Sequence, residues 1–270
     1  MRHHEFDAAI ELASAGEHRF SGATSPAYAN MVGPFGGITN AVLMNAVLMH
    51  PQRQGDPIAL TVNFAGPLAD GAFEIEARPV RTNRSTQHWT LQLTQQDIVA
   101  ATATAVFALR RDTWSRGEAL APQDMPPVSA LPRAAVAGRP AWVQRYDMRF
   151  DEGELVVPYD GKEQPDSVSR LWVRDEPPRS LDYASLAAIC DSFFPRIFIR
   201  RGAPTPVGTV TLTTFFHADS VMLDEQGDRY LLGTARALTY RNGYFDQSAE
   251  IWSDGGQLLA STHQMVYFRE

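Results

Sequence analysis

The chain has 270 residues, 44% hydrophobic and 20% charged, so it can bury a core of its own and global disorder is excluded. A net charge of -7, with no Lys/Arg-rich block and no row of aromatics among basic residues, argues against nucleic acid as a partner. The one cysteine, Cys190, rules out an intrachain disulfide framework and a cysteine-based metal site.

The opening stretch to Phe6 has no apolar signal-peptide core, and no run of 18 apolar residues occurs anywhere. The expectation is a cytoplasmic protein with no membrane span. Phe6 to Ala15 reads as a short helix or turn, and His18 to Tyr28 as a strand and a loop. Gly36-Gly37 then opens a helix over Ile38–Met49 that is apolar on nearly every face, so it should be buried. Strands follow at Ile58–Phe64, Phe73–Val80, His88–Leu93 and Ile98–Leu109, each read from period-2 alternation and separated by turn residues. From Arg110 to Pro140, prolines 122, 126, 127, 132 and 140 break the pattern, and the segment reads as a linker carrying a short helix near Ala134.

Trp142 to Phe150 and Val168 to Arg174 read as strands. A second apolar helix is expected from Leu181 into Pro195, with Ser180 as its N-cap, Asp182 in its first turn and Asp191 deep within it. A buried carboxylate needs partners or a raised pKa. Strands return at Thr209–Phe216, where Val210, Leu212 and Thr214 should share a face, then at Tyr230–Thr239, Phe245–Trp252 and Leu258–Phe268. Asp224-Glu-Gln-Gly227 reads as a turn. Each half thus runs buried helix, then four strands, and Leu60-Thr-Val-Asn-Phe64 echoes Leu212-Thr-Thr-Phe-Phe216. The preserved order implies duplication. The fold class is α+β, each half an antiparallel sheet wrapped on a long helix, with units at 1–112 and 141–270 and a Pro-rich linker at 113–140.

On these residues the chain resembles the bacterial acyl-CoA thioesterases of the double hotdog fold (type II). The resemblance rests on Gly33-Pro-Phe-Gly-Gly-Ile-Thr-Asn40, Cys190-Asp-Ser-Phe-Phe-Pro195, Val207-Gly-Thr-Val-Thr-Leu-Thr-Thr-Phe-Phe-His217 and Leu259-Ala-Ser-Thr-His-Gln-Met-Val266. It implies hydrolysis of acyl-CoA by a water held by an aspartate, a threonine and a glutamine, which fall on Asp191, Thr209 and Gln264. It implies no cofactor, and further pairing into a homodimer or higher homo-oligomer. One departure is visible: the family often has Gly-Gly-Gln at the start of the first helix, where this chain has Gly36-Gly37-Ile38.

The chemistry fits those residue types. Thioester hydrolysis needs a positioned water, a group that takes its proton and donors for the oxyanion. Asp191 is the expected base. Gln264 can donate and accept at once, and Thr209 can bond the water or Asp191. Taken singly, each also reads as an ordinary structural residue. Gly36 and Gly37 free backbone N–H groups for an oxyanion or ligand, or simply let helix and sheet approach. Asn40 is a candidate polar pocket residue. Arg84 and Arg241, at matching places in the two halves, are candidate CoA contacts or solvated loop residues. Phe193, Phe194, Phe215 and Phe216 could line or plug an acyl tunnel.

His263 should point to the sheet face opposite Gln264, and His217 sits at the far end of the Thr209 strand. Scattered histidines without carboxylate spacing argue against a metal. Cys190 reads as a packed core thiol. No Gly-x-Ser-x-Gly elbow occurs. Two alternatives stand beside the thioesterase: a non-catalytic acyl-thioester binding protein, and a hotdog enoyl-CoA hydratase or dehydratase. A hydratase of this fold is expected to pair a histidine with the helix carboxylate, and none is near Asp191 in the sequence.

Overall fold

The computed structural model describes residues 4–270. Residues 1–3, where the sequence reading expects no signal-peptide core to begin, lie outside it. In chain order the first half holds α1 (Glu5–Ala9), β1 (Ala13–Ser14), β2 (Arg19–Ala23), α2 (Gly36–Leu48), β3 (Asp56–Phe64), β4 (Ala72–Thr82), β5 (Thr86–Gln95) and β6 (Ile98–Ala108). The second holds β7 (Tyr146–Glu152), β8 (Ser169–Asp175), α3 (Tyr183–Ile189), α4 (Arg196–Arg201), β9 (Val207–Phe216), α5 (Ser220–Gln226), β10 (Leu231–Arg236), β11 (Tyr240–Arg241), β12 (Tyr244–Trp252) and β13 (Leu258–Phe268). None of the described helices is long and apolar enough to cross a membrane.

The strands form because alternate side chains have a core to enter. Phe73, Ile75 and Ala77 of β4 and Trp89, Leu91 and Leu93 of β5 are all buried, while their neighbours His88, Thr90 and Gln92 face out. The sheet runs β1-β2-β4-β5-β6-β3-β9-β13-β12-β10-β8-β7, with β11 paired to β12 alone. The halves join in the middle, where β3 and β9 pair antiparallel with Thr61 opposite Thr213. The two hydroxyls lie 3.0 Å apart across that seam. Helices α2 and α3 pack against each other within the core. Leu43, Met44 and Val47 of α2 and Leu186 and Ala187 of α3 are fully buried, and cutting back any of the larger ones would cost roughly 2–5 kcal/mol. This is the α+β double-hotdog plan that the resemblance implied.

Several local expectations fail, each for a definable reason. The second central helix is much shorter than Leu181–Pro195. Asp182, not Ser180, caps it, in a capping box with Ser185. It ends at Ile189, where Asp191 N–H bonds Ala188 O and Ser192 N–H bonds Ile189 O in a tightened last turn. Pro195 disfavours helix at Phe194 and caps the separate α4. Asp191 therefore stands in the turn after a helix rather than deep inside one. Asp224 to Gln226 belong to α5, capped by Asp219, whose carboxylate accepts from Met222 N–H, and only Gly227 follows it. No helix forms at Ala134; a 3-10 turn covers Val128–Ala130 instead. Trp142 begins in a 3-10 turn over Ala141–Arg145, so β7 starts later than its aromatic pattern suggests.

Val210 also departs from expectation: it is 37% exposed, whereas Leu212 and Thr214 are buried. The cause is a β-bulge. Met265 of β13 pairs with Thr211 but Val266 pairs with Thr209, leaving Val210 unopposed. Regular alternation from Leu212 would have turned Thr209 outward; the extra residue turns it back to the inner face.

Candidate active site

Three elements far apart in sequence meet at the inner face near the seam. The α3–α4 turn brings Asp191, β13 brings Gln264 and the bulge in β9 brings Thr209. Thr209 Oγ1 donates to Gln264 Oε1 at 3.1 Å, and Gln264 Nε2 donates to Asp191 Oδ1 at 3.0 Å. Gln264 is buried, while Asp191 and Thr209 keep partial exposure. The glutamine's orientation follows from its neighbours: an ionised carboxylate only accepts, so the amide NH2 must face Asp191.

Burial of the Asp191 carboxyl raises its pKa from 3.8 to about 7. The Gln264 hydrogen bond and the Gly37 backbone amide act in the opposite sense, holding the charged form, and they do not overcome the desolvation.

The first turn of α2 closes over this carboxylate. A Cβ placed on Gly36 would lie 2.6 Å from Asp191 Oδ2, and one on Gly37 would lie 2.5 Å from Ala188 O and 2.4 Å from the Phe35 ring. No side chain fits at either position without displacing the carboxylate, the α3 backbone or that ring. The glycines are thus what lets the positive end of α2 approach Asp191. The N-cap residue, Phe35, offers α2 no side-chain oxygen, and of the leading N–H groups that of Gly37 is turned to the Asp191 carboxylate.

The other predicted residues divide. Asn40 is buried one turn further along α2, with neither Nδ2 nor Oδ1 hydrogen-bonded. Arg84 is exposed in the β4–β5 hairpin, whose neighbour Thr86 lies opposite Ala108, itself opposite Asp56. Phe64, beside Gly36, ends β3 at the other extreme, so the structure does not bring Arg84 to Asp191. Arg241 lies nearer: Tyr244, its partner, opposes Tyr267, which opposes Gly208 next to Thr209. It lines an open groove with Tyr244, Asp246 and Met265, and Met265 turns to the face away from Gln264. Phe193, Phe194 and Phe216 are packed in the core, whereas Phe215 is 46% exposed on the outer face.

His263 points outward beside Ser248, and His217 bonds Ser261 at the far end of β9. Cys190 is wholly buried, and desolvation drives its thiol pKa well up. Among the described residues, no group of three or more His, Cys, Asp or Glu side chains could hold a metal. Sequence reading missed Phe35 and Phe64, which flank the glycine turn. Phe35 stacks on Trp142 with ring centroids 4.3 Å apart. Phe35 was visible only as part of the glycine run, and the place of Phe64 at the end of β3 becomes meaningful only once β3 and β9 are paired.

The comparisons with known proteins agree with this architecture. The model of the acyl-CoA thioesterase N-terminal domain matches residues 25–108, and that of the acyl-CoA thioesterase C-terminal domain matches residues 117–268. None of the curated proteins matches the chain. Among solved structures, a conserved protein of unknown function with a hot dog fold from Alicyclobacillus acidocaldarius is 48% identical, with a TM-score of 0.94 over 99% of this chain and 98% of that one. A putative thioesterase II from Thermobifida fusca YX is 20% identical, with a TM-score of 0.83 over 100% of this chain and 99% of that one. The acyl-CoA thioesterase II TesB2 of Mycobacterium marinum is 17% identical, with a TM-score of 0.77 over 98% of each. At those last identities the likeness is one of fold. The two domain models together span both halves, and the chain belongs to the double-hotdog acyl-CoA thioesterase family.

Proposed function

We propose that the protein hydrolyses acyl-CoA thioesters to a free carboxylic acid and CoA, using a water held by Asp191, Thr209 and Gln264. The observation that carries this reading is the continuous hydrogen-bonded chain from Thr209 through Gln264 to a carboxyl with a pKa of about 7. A base works best when its pKa lies near the working pH, and a surface aspartate is too weak by about three powers of ten.

In this mechanism ionised Asp191 takes a proton from the water as its oxygen attacks the thioester carbonyl carbon. The carbonyl electrons move onto oxygen, and the N–H of Gly36 at the positive end of α2 stabilises that oxyanion, while the N–H of Gly37 holds ionised Asp191. Collapse re-forms the carbonyl, breaks the carbon–sulfur bond and expels CoA thiolate, which takes the proton from Asp191. Gln264, fixed at one end by Thr209 and at the other by Asp191, orients the water and loses little entropy in doing so. Neither His217 nor His263 reaches Asp191 to support a hydratase.

The test is release of free thiol from a panel of short, medium, long and aromatic acyl-CoAs. The proposal expects enzyme-dependent release from at least one. No release from any, with acyl-CoA still bound, would overturn it in favour of a binding protein.

A further inference from the structure

Beside Gln264 stands a second buried glutamine. Gln247 of β12 lies directly opposite Gln264 in the β12–β13 register, so both side chains enter the same inner face. Directly opposed cross-strand side chains have Cβ atoms about 5 Å apart. Gln247 is therefore within one side chain's length of the Asp191 chain, although no hydrogen bond joins the two glutamines.

The orientation of Gln247 is fixed by an unusual partner. Arg196, the first residue of α4, has no exposed surface and, among the described residues, no carboxylate partner. Desolvation lowers its pKa to about 10, which still leaves it cationic at neutral pH. Its donors go to Phe194 O, Ser167 O and Ser169 Oγ, and Nε also reaches Gln247 Oε1 at 3.2 Å. A guanidinium has no acceptor, so the oxygen of Gln247 must face it and the NH2 must turn away. Among the described residues no protein acceptor bonds that NH2, and the nitrogen is not among the sealed, unpaired polar atoms. The chain thus delivers one charge of each sign into adjacent glutamines: Asp191 orients Gln264, and five residues on Arg196 orients Gln247 in the opposite sense.

Resting on the thioesterase reading, we infer that Gln247 is a further substrate-contacting residue, whose Arg196-fixed NH2 donates a hydrogen bond to the acyl carbonyl. It supplies a side-chain donor in a chain that has Ile38 where the family often has a glutamine. Arg196 acts through Gln247 as a positioning residue. Donor and water-holding group then occupy neighbouring strands, so the carbonyl oxygen and the attacking water are held from one rigid surface.

The discriminating variant is Gln247→Glu. It keeps an acceptor for Arg196, and so keeps the fold, but has no N–H. Thiol release should fall at least tenfold in kcat/KM while Tm is retained or raised. Because the new negative charge would also raise the Asp191 pKa and leave less of it ionised at neutral pH, the rate is followed to pH 9.5; a donor role predicts a plateau still at least tenfold low. Gln247→Met, uncharged, should show the same kinetic loss. A second readout needs no turnover: the carbonyl stretch of a panel acyl-CoA bound to Asp191→Asn should move to higher frequency when Gln247→Glu is added. Wild-type rates at the plateau, or an unmoved carbonyl band, would overturn the inference while leaving the thioesterase reading intact. An inactive wild type would instead defeat that reading, and the carbonyl band would still decide the role of Gln247.

Discussion

Replacing Asp191 by Asn should make the protein more stable in a pH-dependent way. The side chain keeps its shape, and its Oδ1 can still accept from Gln264. A carboxyl whose pKa rises from 3.8 to about 7 on folding binds more protons native than unfolded between those values. Native stability therefore falls as pH rises across that window and levels off above it. The full span corresponds to ~4 kcal/mol, at 1.36 kcal/mol for each pH unit. Partial exposure of Asp191 screens some of this, and about 1–3 kcal/mol is the expected gain for Asp191→Asn at pH 8. Below pH 4 both states of the wild type are protonated, and the gain should vanish. Urea unfolding of both proteins from pH 4.5 to 8.5 measures it. A difference that is constant across this range, or a variant less stable at pH 8, would show that the carboxyl carries no desolvation cost and would remove the physical basis for calling it a tuned base.

Three further outcomes follow from the same geometry. Gly36→Ala brings a methyl to 2.6 Å from Asp191 Oδ2 and should lower stability by roughly 1–3 kcal/mol and depress kcat/KM; a fully active, fully stable variant would refute the close approach of α2 to the carboxylate. Thr209→Val removes the donor that pins Gln264 Oε1, so kcat should drop about 10–100-fold with stability changed by about 1 kcal/mol at most, read by thiol release and thermal melting. Cys190 should resist Ellman's reagent in the native protein and react fully in guanidinium, because the thiolate is both buried and disfavoured; rapid native labelling would contradict the packing of α3.

Much of the fold could be read from residues because the forces that set it are local. Alternation in β4 and β5 and the all-round apolarity of α2 each report burial within one element. The duplication then gave the two helices equivalent places in their halves. Of the candidate site, the resemblance pointed to Asp191, Thr209 and Gln264, whose side chains the structure joins by hydrogen bonds, but their geometry was not legible. Thr209 reaches the inner face through an unpaired Val210, and a bulge is a property of two strands together, invisible in either alone. The early end of α3 was masked because Cys190 and Phe193 prolong an apolar run that the backbone abandons, although Pro195 marked the boundary. Arg196 was passed over because arginine is rarely fully buried, and its partners come from β8, β12 and the loop before β8. Arg84 lies away from Asp191 for a related reason: equivalence in a duplicated sequence places a residue at the symmetric position, which here is the other end of the sheet.

The central claim is that Asp191 acts as a base poised near neutrality, and the pH dependence of kcat/KM for thiol release tests it most directly. The predicted profile for the wild type rises with pH, bends near pH 7 and is flat above, as the carboxyl ionises. Asp191→Asn should be flat and lower by orders of magnitude over the same range. A wild-type profile without that bend, or an Asp191→Asn variant that retains wild-type rates, would contradict it.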